Sequence, residues 1–124
     1  MEGVFTDALI NFIVANKYIW LYNHIVKAES VFREKRAVLS QKTGQLGIAE
    51  IRIWKVPRSE HYPEGRKFSL FLACDGKALM GIDNHKPKGP HLHLGDQEVA
   101  YDYRGDEPLL NDFWDLVRKA GFEP

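Results

Sequence analysis

The hydrophobic pattern begins with a long apolar segment at residues 6–25, "TDALINFIVANKYIWLYNHI". Apolar side chains cover almost every face of a helical projection of this segment, so the pattern predicts a helix. Asn11, Asn16 and Lys17 interrupt the run, and the cost of placing Lys17 in lipid argues against a membrane span. We therefore expect this helix to pack on the rest of the protein, on a partner or on a second copy.

The segments that follow alternate between apolar and polar positions, as strands do. Ala28–Ser40 and Leu46–Val56 flank the turn "QKTGQ" and predict a hairpin. Lys67–Cys74 and Lys77–Asp83 flank an Asp-Gly pair, which is the strongest short hairpin signal in the chain. The stretches "HLHL" and "EVAYDY" flank a Gly-Asp pair and predict one more hairpin.

The clearest helix is the terminal stretch "DEPLLNDFWDLVRKAGF". Its apolar stripe consists of Leu109, Leu110, Phe113, Trp114 and Val117. Asp106 is the predicted N-cap and Gly121 the predicted end. Together the elements predict an α+β fold in one domain of residues 1–124: an N-terminal helix, an antiparallel meander sheet of four to six strands, and a C-terminal amphipathic helix.

Composition narrows the classes of function. The chain has 17 basic and 17 acidic residues, and 44% of its residues are hydrophobic, which suits a folded domain. Residues 33–67 carry nine Lys/Arg against four Asp/Glu, whereas residues 96–124 carry three against eight. The net charge of zero argues against a strongly basic surface for nucleic acid, although the uneven distribution of charge along the chain allows one basic face. The single cysteine, Cys74, excludes an internal disulfide and favours a reducing compartment.

Candidate chemistry is concentrated in one turn-rich segment at residues 81–98, "GIDNHKPKGPHLHLGDQE", which holds three of the five histidines. In an extended conformation His91 and His93 project to one face and Leu92 to the other, so the two imidazoles are neighbours. A polar cluster on one face of a strand is not how a core is normally built. The segment is therefore a candidate site, and the alternative is a hairpin whose turn is closed by Asx hydrogen bonds.

Phosphate chemistry is the first interpretation of this segment, because histidine transfers protons near neutral pH and lysine stabilises phosphate charge. The candidates for proton transfer and its orientation are His91, His93, Asp83, Asn84 and His85. The candidates for phosphate binding are Lys86, Lys88 and, from an earlier strand, Arg52.

Metal binding is the second interpretation. Two histidines two residues apart on a strand can grip one divalent ion, with Asp83, His85 or Glu98 as a third ligand. The strand offers no third histidine and the segment no cysteine. We therefore expect no tightly bound metal ion.

The segment also resembles a family pattern. Its residues Gly81-x-Asp83-Asn84-x₃-Lys88-Gly89-x-His91-x-His93 are similar to a motif of the TumE family of small toxins from prokaryotic toxin–antitoxin modules. The strand ending "WKVP", the stretch "KFSLFLACDGKALMGIDN" and the helix "LLNDFWDLVRK" support the resemblance. It covers about residues 26–122, a toxin-like core, and leaves residues 1–25 as a helical extension. Many relatives carry an acidic residue and an arginine where this chain has Pro90 and Leu92.

The resemblance implies a cytoplasmic toxin that an antitoxin protein holds inactive. Our main hypothesis is a toxin that acts on RNA through the His/Lys-rich loop as a ribonuclease-like hydrolase, by analogy with other compact toxins of this element order. A second hypothesis is a non-catalytic binding or inhibitor protein, and a third is a metal-binding enzyme that uses His91 and His93. We expect no membrane partner, and a homodimer or antitoxin docking through the N-terminal helix at Phe12, Trp20 or Tyr22.

Overall fold

A computed structural model of the protein describes residues 28–85 and 88–124. These residues form seven strands and one helix. In chain order they are β1 (Glu29–Ser40), β2 (Leu46–Lys55), β3 (Arg66–Cys74), β4 (Lys77–Asp83), β5 (His91–Leu94), β6 (Gln97–Ala100), α1 (Asp106–Lys119) and β7 (Phe122–Glu123).

All seven strands belong to one antiparallel sheet in the order β6-β5-β4-β3-β2-β1-β7. Strands β1 to β6 follow one another as a meander, and β7 returns to the opposite edge beside β1. The turn between β3 and β4 has positive φ angles at Asp75 (53°) and Gly76 (73°), which is the backbone that an Asp-Gly hairpin requires. The three hairpins predicted from the pattern are confirmed.

The predicted fold class is wrong. The described residues form a mostly antiparallel sheet with a single helix, not an α+β arrangement of two helices and four to six strands. The seventh strand escaped prediction because it has two residues and exists only through its pairing with β1. The predicted helix at residues 6–25, with its candidate dimer contacts, lies outside the described residues.

The hydrophobic core lies between one face of the sheet and α1. Ile51, Leu70 and Ile82 from the central strands are fully or almost fully buried, and so are Leu109 and Phe113 from the helix. The strands place an apolar side chain on the same face at every second residue, and this apolar face packs against the apolar stripe of α1, as the pattern predicts. Within the described part of the chain, no helix is long and apolar enough to cross a membrane.

The start of α1 differs from the prediction, because the N-cap is Gly105 and makes no side-chain hydrogen bond. Asp106 instead accepts hydrogen bonds from Arg66 Nε (3.0 Å) and from the Tyr103 hydroxyl (2.7 Å). Burial and the bond to Asp106 raise the pKa of Tyr103. These contacts anchor the helix to the beginning of β3.

The opposite side of the sheet, called the open face here, is not covered by any described helix. Strand register sets its side chains in rows, and two adjacent rows contain the histidine segment singled out in the sequence. The first row contains Arg33, Arg52, Ser69, Asp83 and His91, and the second contains Lys35, Glu50, Phe71, Gly81, His93 and Glu98. The segment singled out in the sequence therefore contributes to a surface that also includes the basic strands β1 and β2.

Candidate functional site

Strand alternation places three polar side chains together on the open face. Ile82 and Leu92 pack in or against the core, so their neighbours Asp83, His91 and His93 project to the other side. Asp83 is the register partner of His91 across the β4–β5 ladder. The carboxylate consequently lies beside both imidazoles.

The carboxylate of Asp83 bridges the two imidazoles. Its Oδ1 lies 3.0 Å from His91 Nε2, and its Oδ2 lies 3.1 Å from His93 Nε2. The two rings meet edge to face with centroids 4.5 Å apart. The side chain of His91 is 8% exposed and that of Asp83 14%, whereas His93 is 39% exposed. His93 is therefore the member of this triad that reaches solvent most readily.

The second nitrogen of each imidazole also faces an acceptor. His91 Nδ1 lies 2.7 Å from the carbonyl oxygen of Gly89, and because a carbonyl only accepts, this nitrogen carries a proton. In a neutral His91 the Nε2 lone pair then points at Asp83. His93 Nδ1 lies 3.6 Å from Glu98 Oε2. A neutral His91 therefore has no N–H left for Asp83, whereas His93 Nε2 can donate to Asp83 Oδ2 at 3.1 Å.

Lys88 and Glu98 form the rim of the triad. Lys88 Nζ donates to Glu98 Oε1 at 2.7 Å, and this bond is the main reason that the pKa of Glu98 lies below its ordinary value. The Lys88 side chain is 59% exposed. The pair places a cation and an anion next to the more accessible His93.

His85 lies two residues after Asp83 and contacts the triad through its backbone. Its backbone N–H donates to Asp83 Oδ1 at 3.1 Å, which helps to orient the carboxylate. The residue as a whole is exposed, although its imidazole is partly desolvated. This desolvation is the main cause that lowers the pKa of His85; the charge of Asp83 opposes it, and Lys67 and the two nearby imidazoles add to it.

Asn84 is 2% exposed and is used by the fold. Its Oδ1 accepts from the Phe68 N–H at 2.9 Å, and its Nδ2 donates to the Arg66 carbonyl at 2.8 Å. These bonds attach the end of β4 to the start of β3. The side chain bonds to the backbone of β3 and not to either imidazole.

One predicted phosphate ligand, Arg52, stands apart from the triad. Arg52 belongs to the same row as Asp83 but lies two strands away, about 10 Å at the usual strand spacing. It pairs with Glu50 at 2.6 Å, and its Nε is buried without a hydrogen-bond partner. Lys86 lies outside the described residues.

A groove of about 310 Å³ lies on the open face, and two members of the triad, Asp83 and His93, line it. Phe71 and Leu79 also line it, and Gly81 lies between Phe71 and His93 in the register. A side chain at Gly81 would project toward Phe71 and narrow the groove, because its Cβ would come within 3.4 Å of that residue's Cβ. Sequence reasoning assigned no role at the site to Phe71 and named Gly81 only within the family motif, although an isolated glycine within a strand signals close approach.

The site therefore joins an Asp–His–His triad, a charged rim and a groove. Comparison with known families gives one match: the family described as toxin TumE, over residues 16–120. The chain belongs to the TumE toxin family. No curated protein and no solved structure matches it.

Membership confirms the resemblance inferred from the segment at residues 81–98. The matched region begins at residue 16, ten residues before the resemblance detected in the sequence. As a member of this family, the protein is the toxin of a toxin–antitoxin module, and its partner is an antitoxin protein.

Proposed function

We propose that this toxin acts on RNA, that Asp83, His91 and His93 form its catalytic centre, and that the open face holds the RNA strand. The main support is the strand register, which aligns basic side chains on β1 and β2 with the triad on β4 and β5. Four strand spacings separate β1 from β5, so the row extends over about 20 Å. A nucleic-acid strand that follows this row reaches the imidazoles.

The chemistry of the open face suits single-stranded RNA. Arg33 and Lys35 are exposed and form no ion pair with any other described residue, so both remain available to phosphates. Phe71 is half-buried beside the groove, where a base can stack on its ring. Unpaired bases bind to aromatic side chains in this way, while cations follow the backbone.

Cleavage of a phosphodiester is the reaction that the triad supports best. His93, the most accessible member, lines the groove, and Asp83 Oδ2, 3.1 Å from its Nε2, orients it. Lys88 at the rim can contact a phosphate oxygen if it leaves Glu98. Lys86 stays a candidate for the same role, and Asn84 contributes through the fold rather than through the reaction.

The proposal also implies the compartment in which the toxin acts. RNA and an antitoxin that inhibits the toxin by direct contact are both available in the cytoplasm, which is where we place the activity. An antitoxin that covers the open face or the groove would block access to the triad.

The proposal predicts that the purified chain cleaves an unstructured RNA oligonucleotide. Replacing both imidazoles, as H91Q/H93Q, keeps side-chain bulk and hydrogen-bonding capacity but removes the acid–base groups. We expect cleavage to fall by about 10²–10⁴-fold, the usual effect of losing a general acid or base. Product bands on a denaturing gel measure the rate, and the variant should stop inhibiting growth.

His61→Gln is the matched control, because His61 is exposed in the loop between β2 and β3 and outside the triad. Its cleavage rate should equal that of the unmodified chain. A folded double variant that still cleaves RNA and inhibits growth would remove the triad from the mechanism. Tight RNA binding without cleavage by the unmodified chain would instead identify a non-catalytic toxin that blocks its target.

A further inference from the structure

We infer that Asp83, His91 and His93 bind one first-row divalent metal ion through the Asp83 carboxylate and the Nε2 atoms of the two histidines. One candidate ligand atom from each residue lies within 4.8 Å of the other two. The inference deepens the proposed function and rests on it only for the ion's role in RNA cleavage. Binding of the ion itself follows from the geometry of the triad.

The separations between ligand atoms suit a shared ion. Metal–ligand bonds of about 2.1 Å that meet at right angles place their ligand atoms about 3.0 Å apart. The two imidazole Nε2 atoms lie 3.0 and 3.1 Å from the oxygens of Asp83. All three candidate atoms lie within 4.8 Å of one another, so the two imidazoles would have to draw closer together for the three ligands to share one ion.

The distribution of protons also favours a cation. Because His91 Nδ1 donates to the Gly89 carbonyl, the Nε2 of the neutral ring offers a lone pair toward an acceptor. A divalent ion between the imidazoles and the carboxylate accepts these lone pairs and removes the conflict.

The surroundings of the triad match the outer shell of a metal site. A metal-binding histidine almost always donates its second ring N–H to a carbonyl or a carboxylate, which fixes the tautomer. The Gly89 carbonyl does this for His91 at 2.7 Å, and Glu98 lies 3.6 Å from the corresponding nitrogen of His93. Glu98 therefore belongs to the outer shell and is not a ligand, since it faces Nδ1 and not Nε2.

The ligand set limits the type of ion. Two imidazoles and one carboxylate, with no thiolate, suit ions such as manganese, iron(II), cobalt and zinc. Three protein ligands leave coordination positions for water or substrate, and Asp83 and His93 both line the groove. At this position the ion would polarise a phosphoryl oxygen or activate a water molecule, and the two imidazoles would then serve cleavage as its ligands rather than as proton-transfer groups. The expectation of no metal was based on the lack of a third histidine and of a cysteine, and the fold brings Asp83, one of the third ligands considered, against both imidazoles.

The test uses the full chain, stripped with a chelator and then titrated with ZnCl₂ or MnCl₂ in a calorimeter without RNA. We expect one ion per chain, confirmed by elemental analysis after dialysis. D83N and H93Q should each weaken binding by more than the roughly 10–100-fold that loss of an outer-shell partner costs. E98Q should fall within that range, and H61Q should bind as the unmodified chain does.

Cobalt(II) supplies a second measurement, because its visible absorption changes when imidazole ligands replace water.

A melting curve for each variant separates lost ligation from lost folding, and His93 offers the safer substitution because it is 39% exposed. Less than a tenth of an equivalent of bound metal, or binding that survives both D83N and H93Q in folded protein, would overturn the inference. RNA cleavage at full rate in excess chelator would overturn the ion's role in the reaction and leave the proposed function intact. Stoichiometric binding without cleavage would support the metal site and overturn the proposed function.

Discussion

At the scale of single residues, neighbours in the sequence have different functions in the structure. Asp83 and Asn84 are adjacent at the end of β4, but strand alternation turns their side chains to opposite sides. Asp83 contacts the imidazoles, and Asn84 bonds to the backbone of β3. The motif in which both residues occur therefore combines a reactive group with a structural one.

Asn84→Asp tests this separation. The new carboxylate can accept from the Phe68 N–H but cannot donate to the Arg66 carbonyl, and it places a charge where Asn84 is 2% exposed. We expect the free energy of unfolding to fall by about 1–3 kcal/mol, the effect of leaving a buried polar group unsatisfied. Urea denaturation followed by circular dichroism measures the change.

Asn111→Asp on the exposed side of α1 is the matched control and should change stability very little. If Asn84→Asp is as stable as the control and yet abolishes toxicity, Asn84 acts in the reaction and not through the fold.

At the scale of elements, the attachment of α1 to the sheet depends on a polar contact as well as on the core. Asp106 accepts hydrogen bonds from Arg66 and Tyr103, and the Asp106 and Arg66 side chains are both about three-quarters buried. Packing of the helix stripe on β3 and β4 then covers one face of the sheet. The other face is left for the site.

Asp106→Ala should destabilise the protein by about 1–3 kcal/mol, because two partly buried donors lose their acceptor. The control is Asp115→Ala on the same helix. Asp115 is 65% exposed and pairs with Arg118 at 3.3 Å, so its loss should cost no more than about 0.5 kcal/mol. Thermal melts of both variants give the comparison, and equal losses would show that the contact with Arg66 does not anchor the helix.

At the scale of the whole molecule, the net charge is zero, but the fold places many basic and acidic residues on different sides. The basic region around β1 and β2 contributes Arg33, Lys35 and Arg52 to the open face, whereas the acidic C-terminal region forms α1 on the other side. Contacts such as Arg66–Asp106 neutralise part of the difference. A neutral net charge therefore does not exclude a basic surface.

Reversing the open-face charges, as Arg33→Glu with Lys35→Glu, should weaken RNA binding and reduce its salt dependence. The slope of log K against log salt should become shallower by about 0.7 for each lost contact with a single-stranded phosphate. Fluorescence anisotropy with a labelled oligonucleotide at several salt concentrations measures both quantities.

Arg118→Glu with Lys119→Glu makes the same charge change at the end of α1 and should leave the slope unchanged. Equal effects from the two double variants would mean that net charge, and not the open face, determines RNA binding.

The local pattern of the sequence determined several features correctly. The Asp-Gly turn, the three hairpins and the apolar stripe of α1 depend on contacts between near neighbours, which the pattern records directly. The shared face of His91 and His93 follows from the period of two in a strand. The family resemblance depended on this same segment, and the family match confirms it.

Tertiary structure decided the rest, because it depends on pairings between distant residues. The fold class was wrong partly because a two-residue strand such as β7 has no signal of its own. Asp83 approaches both imidazoles only because the β4–β5 register sets it opposite His91, and Arg52 joins the same row through two further ladders. The sequence also left open which face of the sheet α1 would cover. Alternation along a strand shows which side chains share a face, but it does not show on which face the helix packs.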